Sequence, residues 1–175
     1  MTYPRKGIPI TMHVIATEQP VGEIQADALV LGVHEGAPLD GTAAEVDSLT
    51  GGQLTRLIES GEIATGRNKL TSWLAPAGLQ TDHVVVVGLG DPGTLDRGAA
   101  ATAAGSAAKL LAGQKRERVV FLLVDGDAPR HVEFAIPIPK TTPFRQKLSV
   151  LGEFLDTVIA AIYDVEVILL VKNHT

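Results

Sequence analysis

Three continuous apolar runs of strand length limit what this chain can fold into. They read DALVLGV (Asp27–Val33), HVVVVGL (His83–Leu89) and VVFLLV (Val119–Val124). A strand that is apolar on both faces must be covered on both faces, which is typical of the parallel strands of α/β proteins. The sequence therefore predicts a sheet enclosed between two layers of other structure.

Helical patterns alternate with these strands. Thr42–Ser60 has apolar residues at helical spacing but is interrupted by Gly51 and Gly52, so it predicts two short helices. An alanine-rich helix is expected over Arg97–Ala112 and an amphipathic helix over Pro143–Tyr163. This alternation predicts an α/β fold, a three-layer α/β/α sandwich whose sheet is mixed and mainly parallel.

Weaker patterns indicate further strands at Ile10–Thr17, Leu70–Ala75 and Val165–Val171. The run Val132–Ile138 is apolar but contains Pro137, which restricts it to an edge strand or an extended connector. A length of 175 residues suits one hydrophobic core, so we expect a single domain over 1–175.

Composition excludes several classes of protein. The absence of cysteine removes disulfides, thiolate metal sites and cysteine nucleophiles. No apolar run is long enough for a signal peptide or a membrane span, so we expect a cytoplasmic protein that contacts no membrane. A net charge of -5 argues against a nucleic-acid partner. The basic cluster of Lys115, Arg116 and Arg118 predicts a solvated loop.

The most suggestive motif is a glycine-rich turn after the strand VVVV. Gly88, Gly90 and Gly93 spell G-x-G-x-x-G around Asp91, the pattern of a dinucleotide-binding turn. Thr94–Asp96, however, separate the turn from the next helix, and no ribose-binding acid follows at the usual distance. We favour a tight turn between strand and helix, and a weak anion site on the backbone amides is the alternative.

His34 and Glu35 form a second candidate site after the strand DALVL. Ligands of α/β proteins bind beyond the carboxyl ends of strands, so both residues are predicted to face a crevice shared with the Gly88 turn. A histidine beside a carboxylate is capable of acid–base chemistry. Adjacent side chains normally point apart, so we favour a passive polar loop.

No metal site and no cofactor are expected. The five histidines are dispersed, without the H-x-x-x-H or H-E-x-x-H spacing that places two ligands on one helical face. Asp125 and Asp127 alone are too few for a calcium or magnesium site. The G-x-S-x-G motif of serine hydrolases is also missing.

The order of these segments resembles the N-terminal domain of the leucyl (cytosol) aminopeptidases. The resemblance is carried by IQADALVLGVHEG, GGQLTRLIESGEIATGRNKLTSWLA and GLQTDHVVVVGLGDPGTLDRGAAATAAGSAAKLLAG, and it covers residues 10–124 well and the rest loosely. It implies a macrodomain-like domain without a peptidase site, because the family's two-metal site lies in a separate C-terminal domain. Asp91 stands where the family commonly has a basic residue, and LGVHE replaces the V-N-A-A-N stretch of ADP-ribose-binding macrodomains.

The resemblance implies a non-catalytic module for interaction, oligomerisation or regulation, with another copy or a peptidase domain as its partner. One alternative is a module that binds a nucleotide or an ADP-ribose-like anion at the glycine turn and the His34–Glu35 loop. Another is the front part of a metal-dependent aminopeptidase. If copies self-associate, we expect the contact at Val165–Val171 rather than at Val132–Ile138.

Overall fold

The computed structural model describes residues 13–17, 19–95, 97–114, 116–123 and 131–135, with the backbone alone at 13–17, 97 and 131–135. The elements of these residues are β1 (His13–Thr17), β2 (Ala28–His34), α1 (Gly41–Leu49), α2 (Gln53–Glu59), β3 (Leu70–Leu74), β4 (His83–Gly90), α3 (Arg97–Leu111), β5 (Val119–Leu122) and β6 (His131–Ala135), with 3-10 turns at Val21–Glu23 and Pro92–Thr94. In this part of the chain no helix is long and apolar enough to cross a membrane.

The strands form one mixed sheet in the order β1-β6-β5-β2-β4-β3. Its centre is the parallel trio β5, β2 and β4, which are the three apolar runs of the sequence. β3 pairs with β4 antiparallel, β6 pairs with β5 antiparallel, and β1 pairs with β6 antiparallel. The predicted α/β fold with a mixed sheet is confirmed, and its parallel strands are the central trio.

Helices cover both faces of this trio. The face that includes Val85 and Val87 packs against α3, whose sheet side is formed by small side chains at Ala103, Ala104 and Ala107. The face that includes Val84 and Val86 packs against residues of α1 and α2. Successive residues of a strand point to opposite faces, so one run of valines serves both layers, as the continuous apolar pattern predicts.

The junction between α1 and α2 is built by two glycines and one carboxylate. Gly51 and Gly52 have φ angles of 63° and 77°, a left-handed conformation that ends α1 and is open to glycine at little cost. Asp47 then joins the two helices, because its Oδ1 accepts from the amide of Thr55 at 2.9 Å and its Oδ2 from the hydroxyl of Thr55 at 2.7 Å. The predicted interruption of the helix is confirmed.

The expectation for Val132–Ile138 is wrong in one respect. Its first part belongs to β6, which lies between β1 and β5 and not at the edge of the sheet, with Val132 opposite both Ala16 and Phe121. β6 ends at Ala135, before Pro137, so the missing N–H of the proline does not interrupt the pairing. The expected helix over Pro143–Tyr163 and the expected strand over Val165–Val171 lie outside the described residues.

Candidate functional site

The carboxyl ends of β2 and β4 meet at one edge of the sheet. Val33 lies opposite Gly88 and His34 opposite Gly90, with a bulge that skips Leu89. The amide of Glu35 donates to the carbonyl of Gly90 at 3.0 Å, and the His34 ring nitrogen Nδ1 lies 3.3 Å from the same oxygen. The structure therefore brings the His34–Glu35 loop against the glycine turn, where the sequence predicts a shared crevice.

The glycine turn is covered by a backbone loop, residues 65–69, which we call the cover loop. Gly88 donates its amide to the carbonyl of Lys69 at 2.8 Å, and Gly90 donates its amide to the carbonyl of Thr65 at 3.2 Å. In return the carbonyl of Gly88 accepts from the amide of Asn68 at 2.7 Å. These two amides are bonded to the protein itself, whereas an anion site of this type needs amides that are free to donate.

The third glycine of the motif is also bonded internally. The Asp91 carboxylate accepts from the amide of Gly93 at 2.8 Å and so caps the 3-10 turn at Pro92–Thr94. A carboxylate at this position repels an approaching anion. All three motif amides thus donate to oxygen atoms of the protein, which fits the tight-turn interpretation better than a phosphate site.

The reason for glycine at position 88 is close contact with the cover loop. A Cβ atom at Gly88 would lie 2.1 Å from the carbonyl oxygen of Gly66 and 2.6 Å from the carbonyl carbon of Thr65. At Gly90 the reason is conformational, because its φ of 74° is a left-handed angle that other residues rarely adopt. Backbone packing and backbone conformation therefore account for these two glycines of the motif.

A small cavity of about 90 Å³ lies beyond the carboxyl ends of β2 and β5. Its walls include the apolar side chains of Val33, Leu39 and Leu122, and its polar side chains include His34 and Asp40. Pockets for drug-sized ligands measure about 300–1,000 Å³. This cavity has the size for a few water molecules and not for a nucleotide.

A second polar cluster lies at the opposite, amino ends of the same strands. Arg116 donates from Nη2 to His83 Nδ1 at 2.7 Å and from Nη1 to the carbonyl of Asp27 at 3.0 Å. The Asp27 carboxylate in turn accepts from the backbone amides of Glu117 and Arg118. We call Asp27, His83 and Arg116 the amino-end cluster.

This cluster corrects the expectation of a solvated loop for Arg116, whereas Arg118 is exposed and Lys115 lies outside the described residues. Arg116 is half-buried and bonded to two other segments. Because a guanidinium only donates, His83 accepts at Nδ1 and carries its proton on Nε2. Both this Nε2 and the Arg116 Nε are buried and have no hydrogen-bond partner among the described residues. Burial, and then the charge of Arg116, lower the pKa of His83.

The positions of three polar residues at the starts of the apolar runs could have predicted the amino-end cluster. Asp27 and His83 are the first residues of two of the apolar runs, and Arg116 stands three residues before the third. Parallel strands bring their amino ends together, so residues in these positions become neighbours. The described residues contain no group of three or more histidine or acidic side chains placed to hold a metal ion.

The sheet with helices on both faces defines a three-layer α/β fold. Sequence comparison shows the family of the chain. Residues 30–136 match the model of the cytosol aminopeptidase family, N-terminal domain. The match includes more than half of the 175 residues, and the chain belongs to this family. The matched region begins within β2 and ends one residue beyond β6.

Individual relatives match a stretch of the chain of similar length. It is 32% identical over 105 residues to a protein of Burkholderia pseudomallei (strain 668) named "Probable cytosol aminopeptidase", an alignment that covers 60% of this chain and 21% of that relative. It is 35% identical over 100 residues to the protein of the same name from Paraburkholderia phytofirmans, covering 57% of this chain and 20% of the relative. The chain thus spans about a fifth of the length of these curated relatives.

Proposed function

We propose that this chain is a non-catalytic interaction module that associates with a peptidase domain or with another copy of itself in the cytoplasm. The observation that carries the proposal is the extent of the match, which is to the N-terminal domain of the family and to about a fifth of each relative. The family resemblance assigns the two-metal peptidase site to the C-terminal domain. The matched part is therefore the part without peptidase chemistry.

The geometry of the glycine turn supports this proposal over the small-ligand alternative. The amides of Gly88, Gly90 and Gly93 are bonded to the protein's own oxygen atoms, and the neighbouring cavity measures only about 90 Å³. An ADP-ribose-like anion would need the cover loop to open and those hydrogen bonds to break. A surface role requires no such rearrangement.

The absence of peptidase activity is tested with the purified chain and a chromogenic leucyl substrate, with Mn²⁺ or Zn²⁺ added. We expect no release of product, because a two-metal reaction needs a preformed set of ligands. The full-length Paraburkholderia phytofirmans relative is the comparison sample. Metal-dependent release that exceeds a mock purification and stops with a chelator would contradict the proposal.

The interaction role is tested by calorimetric titration of the chain with the separately expressed C-terminal part of the same relative, and by sedimentation of the chain alone. We expect saturable binding in the first experiment or self-association in the second. A chain that does neither has no interaction role of the kind proposed. A parallel titration with ADP-ribose addresses the small-ligand alternative, and saturable binding there would favour that alternative.

A further inference from the structure

β3 is the last strand of the sheet beyond β4, and no other strand of the described residues pairs with its outer edge. The amide of Ala75 donates to Asp82, and the amide of Gly88 donates to Lys69, so every second residue of β3 bonds to β4. In an antiparallel pair, successive residues direct their N–H and C=O groups alternately toward the partner strand and away from it. The residues between them, Leu70, Ser72 and Leu74, therefore direct their N–H and C=O groups away from β4, where the described part of the chain supplies no strand.

This edge lacks the features that usually prevent strands from pairing with other molecules. β3 reads LTSWL, without lysine, proline or a bulge, whereas natural edges are commonly protected by one of these. Asn68 and Ala75 have φ angles of 58° and 47°, so the backbone turns away on both sides of the strand. The open edge is thereby limited to five residues.

The side chains of the edge are uncharged, and one of them is a strongly exposed leucine. Leu74 is 68% exposed, more than Leu49 at 39% or Leu110 at 46%. Ser72 is exposed beside it, and Trp73 is buried on the opposite face of the sheet. Alternate residues of a strand share a face, so Leu70, Ser72 and Leu74 form one short row.

This row is complementary to itself under a two-fold rotation. If two β3 strands pair antiparallel about Ser72, each Ser72 faces the other, and each Leu74 faces Leu70 of the second copy. The three outward residues of each strand then form about six backbone hydrogen bonds. Lys69 falls opposite Ala75, so no like charges meet across the pair.

We propose that β3 pairs antiparallel with β3 of a second copy, centred on Ser72, so that one sheet continues through a symmetric dimer. This inference rests on the proposed interaction function and names its surface. A second copy is the occupant because the register that bonds the backbone also covers Leu74 with Leu70 of the other strand. A five-residue contact is small beside the roughly 1,600 Å² of stable interfaces, so the dimer depends on protein concentration.

The dimer is tested by sedimentation velocity of the full chain between roughly 10 and 1,000 micromolar, a range that brackets weak association. Ser72→Pro removes an outward N–H without removing a bond to β4, and we expect at least about tenfold weaker association. Ser72→Thr keeps the N–H and is the matched control, for which we expect the association of the unmodified chain.

The register is tested with single cysteines, since the chain has none of its own. Ser72→Cys places two thiols on facing residues about 5.5 Å apart between Cα atoms, within reach of a disulfide. We expect a covalent dimer after mild oxidation. Leu74→Cys is the control, because its thiols lie about four residues or 13 Å apart in this register, and we expect it to stay uncrosslinked.

Each outcome separates this inference from the proposed function. A dimer that survives Ser72→Pro, or that crosslinks through position 74 and not 72, overturns the β3 contact and leaves the interaction role standing. A monomer that binds the peptidase domain has the same meaning. A monomer that binds no partner overturns both.

Discussion

The two ends of the parallel strands differ in what fills them. At the carboxyl ends, the cover loop closes the glycine turn with backbone hydrogen bonds and leaves no room for a Cβ atom at Gly88. At the amino ends, the amino-end cluster fills the space with polar side chains, and two of its buried nitrogen atoms have no hydrogen-bond partner in the described part of the chain. The carboxyl ends carry a motif typical of ligand binding, but backbone groups close them. The amino ends carry a sequence typical of a charged loop, but a network of side chains fills them.

This difference shows that glycines and charged residues at strand ends have different structural causes. Glycines after a strand indicate that something approaches closely, and here the approaching group is the protein's own backbone. Charged residues before a strand have neighbours at the ends of adjacent strands, so they form contacts that their local sequence does not show. Four substitutions test whether the two ends are held in these different ways.

The largest effect is expected from Gly88→Ala. The new methyl group would overlap the backbone of Gly66 and Thr65, which cannot rotate away as a side chain can. We expect a loss of at least about 3 kcal/mol in the free energy of unfolding, measured by urea denaturation. Gly93→Ala is the control, because its added Cβ atom would lie 3.3 Å from the nearest atom, an oxygen of the Asp91 carboxylate. We expect a change in the free energy of unfolding below about 1 kcal/mol. Equal stability of the two variants would remove the packing explanation of the motif.

A smaller effect is expected from Asp27→Ala at the other end. The carboxylate accepts from the amides of Glu117 and Arg118, and removing it leaves these donors to water. We expect a loss of about 1–2 kcal/mol in the same denaturation experiment. Asp82→Ala removes a second exposed carboxylate near the start of β4 and should change stability by less than about 0.5 kcal/mol. If both variants behave alike, Asp27 has no special structural role.

The pH dependence of stability distinguishes the amino-end cluster from the rest of the molecule. The folded pKa of His83 lies below its ordinary value of 6.5, through burial and then the charge of Arg116. The unfolded chain therefore binds a proton first, so the His83 contribution is complete above the unfolded pKa and is lost as the pH falls from there through the folded pKa.

We expect the stability difference between the unmodified chain and His83→Gln to shrink between about pH 8 and about pH 5. Glutamine retains an acceptor for Arg116 but does not titrate, and the carboxylates contribute equally to both proteins. Denaturation midpoints at several pH values give the measurement. A difference that is independent of pH would show that His83 does not titrate against Arg116.

The smallest effect is expected from Arg67→Ala in the cover loop. Arg67 donates from Nη2 to the carbonyl and hydroxyl oxygens of Thr94, at 2.7 and 3.2 Å, but all of these groups are exposed. Because backbone bonds hold the loop, we expect a loss of about 0.5 kcal/mol or less. A loss near that of Gly88→Ala would mean that the side chain holds the cover loop.

Much of the fold can be predicted from the sequence, because a strand that is buried on both faces is a continuous apolar run. The three central strands follow from that pattern, while the interruption at Gly51 and Gly52 and the alanine-rich helix follow from their own composition. The position of β6 does not, because the pairing ends before Pro137, so the missing N–H of that proline does not keep the strand at an edge.

The site is less legible because it depends on residues that are distant along the chain. The approach of His34 and Glu35 to the turn follows from the parallel arrangement of two strands. Nothing in the motif itself shows whether its glycines admit a phosphate or another segment. That distinction depends on the cover loop, which precedes β3 and returns to the turn only in the folded chain.

The alanines of α3 have a consequence for the evolution of this domain. Ala104 and Ala107 are fully buried where the helix lies on the sheet, so the distance between these layers is set by methyl groups. A saturation-mutagenesis library should therefore accept only glycine, alanine and serine there, while exchanges among leucine, isoleucine and methionine persist under α1 and α2. The two faces of one sheet would drift at different rates, the first limited by volume and the second mainly by hydrophobicity.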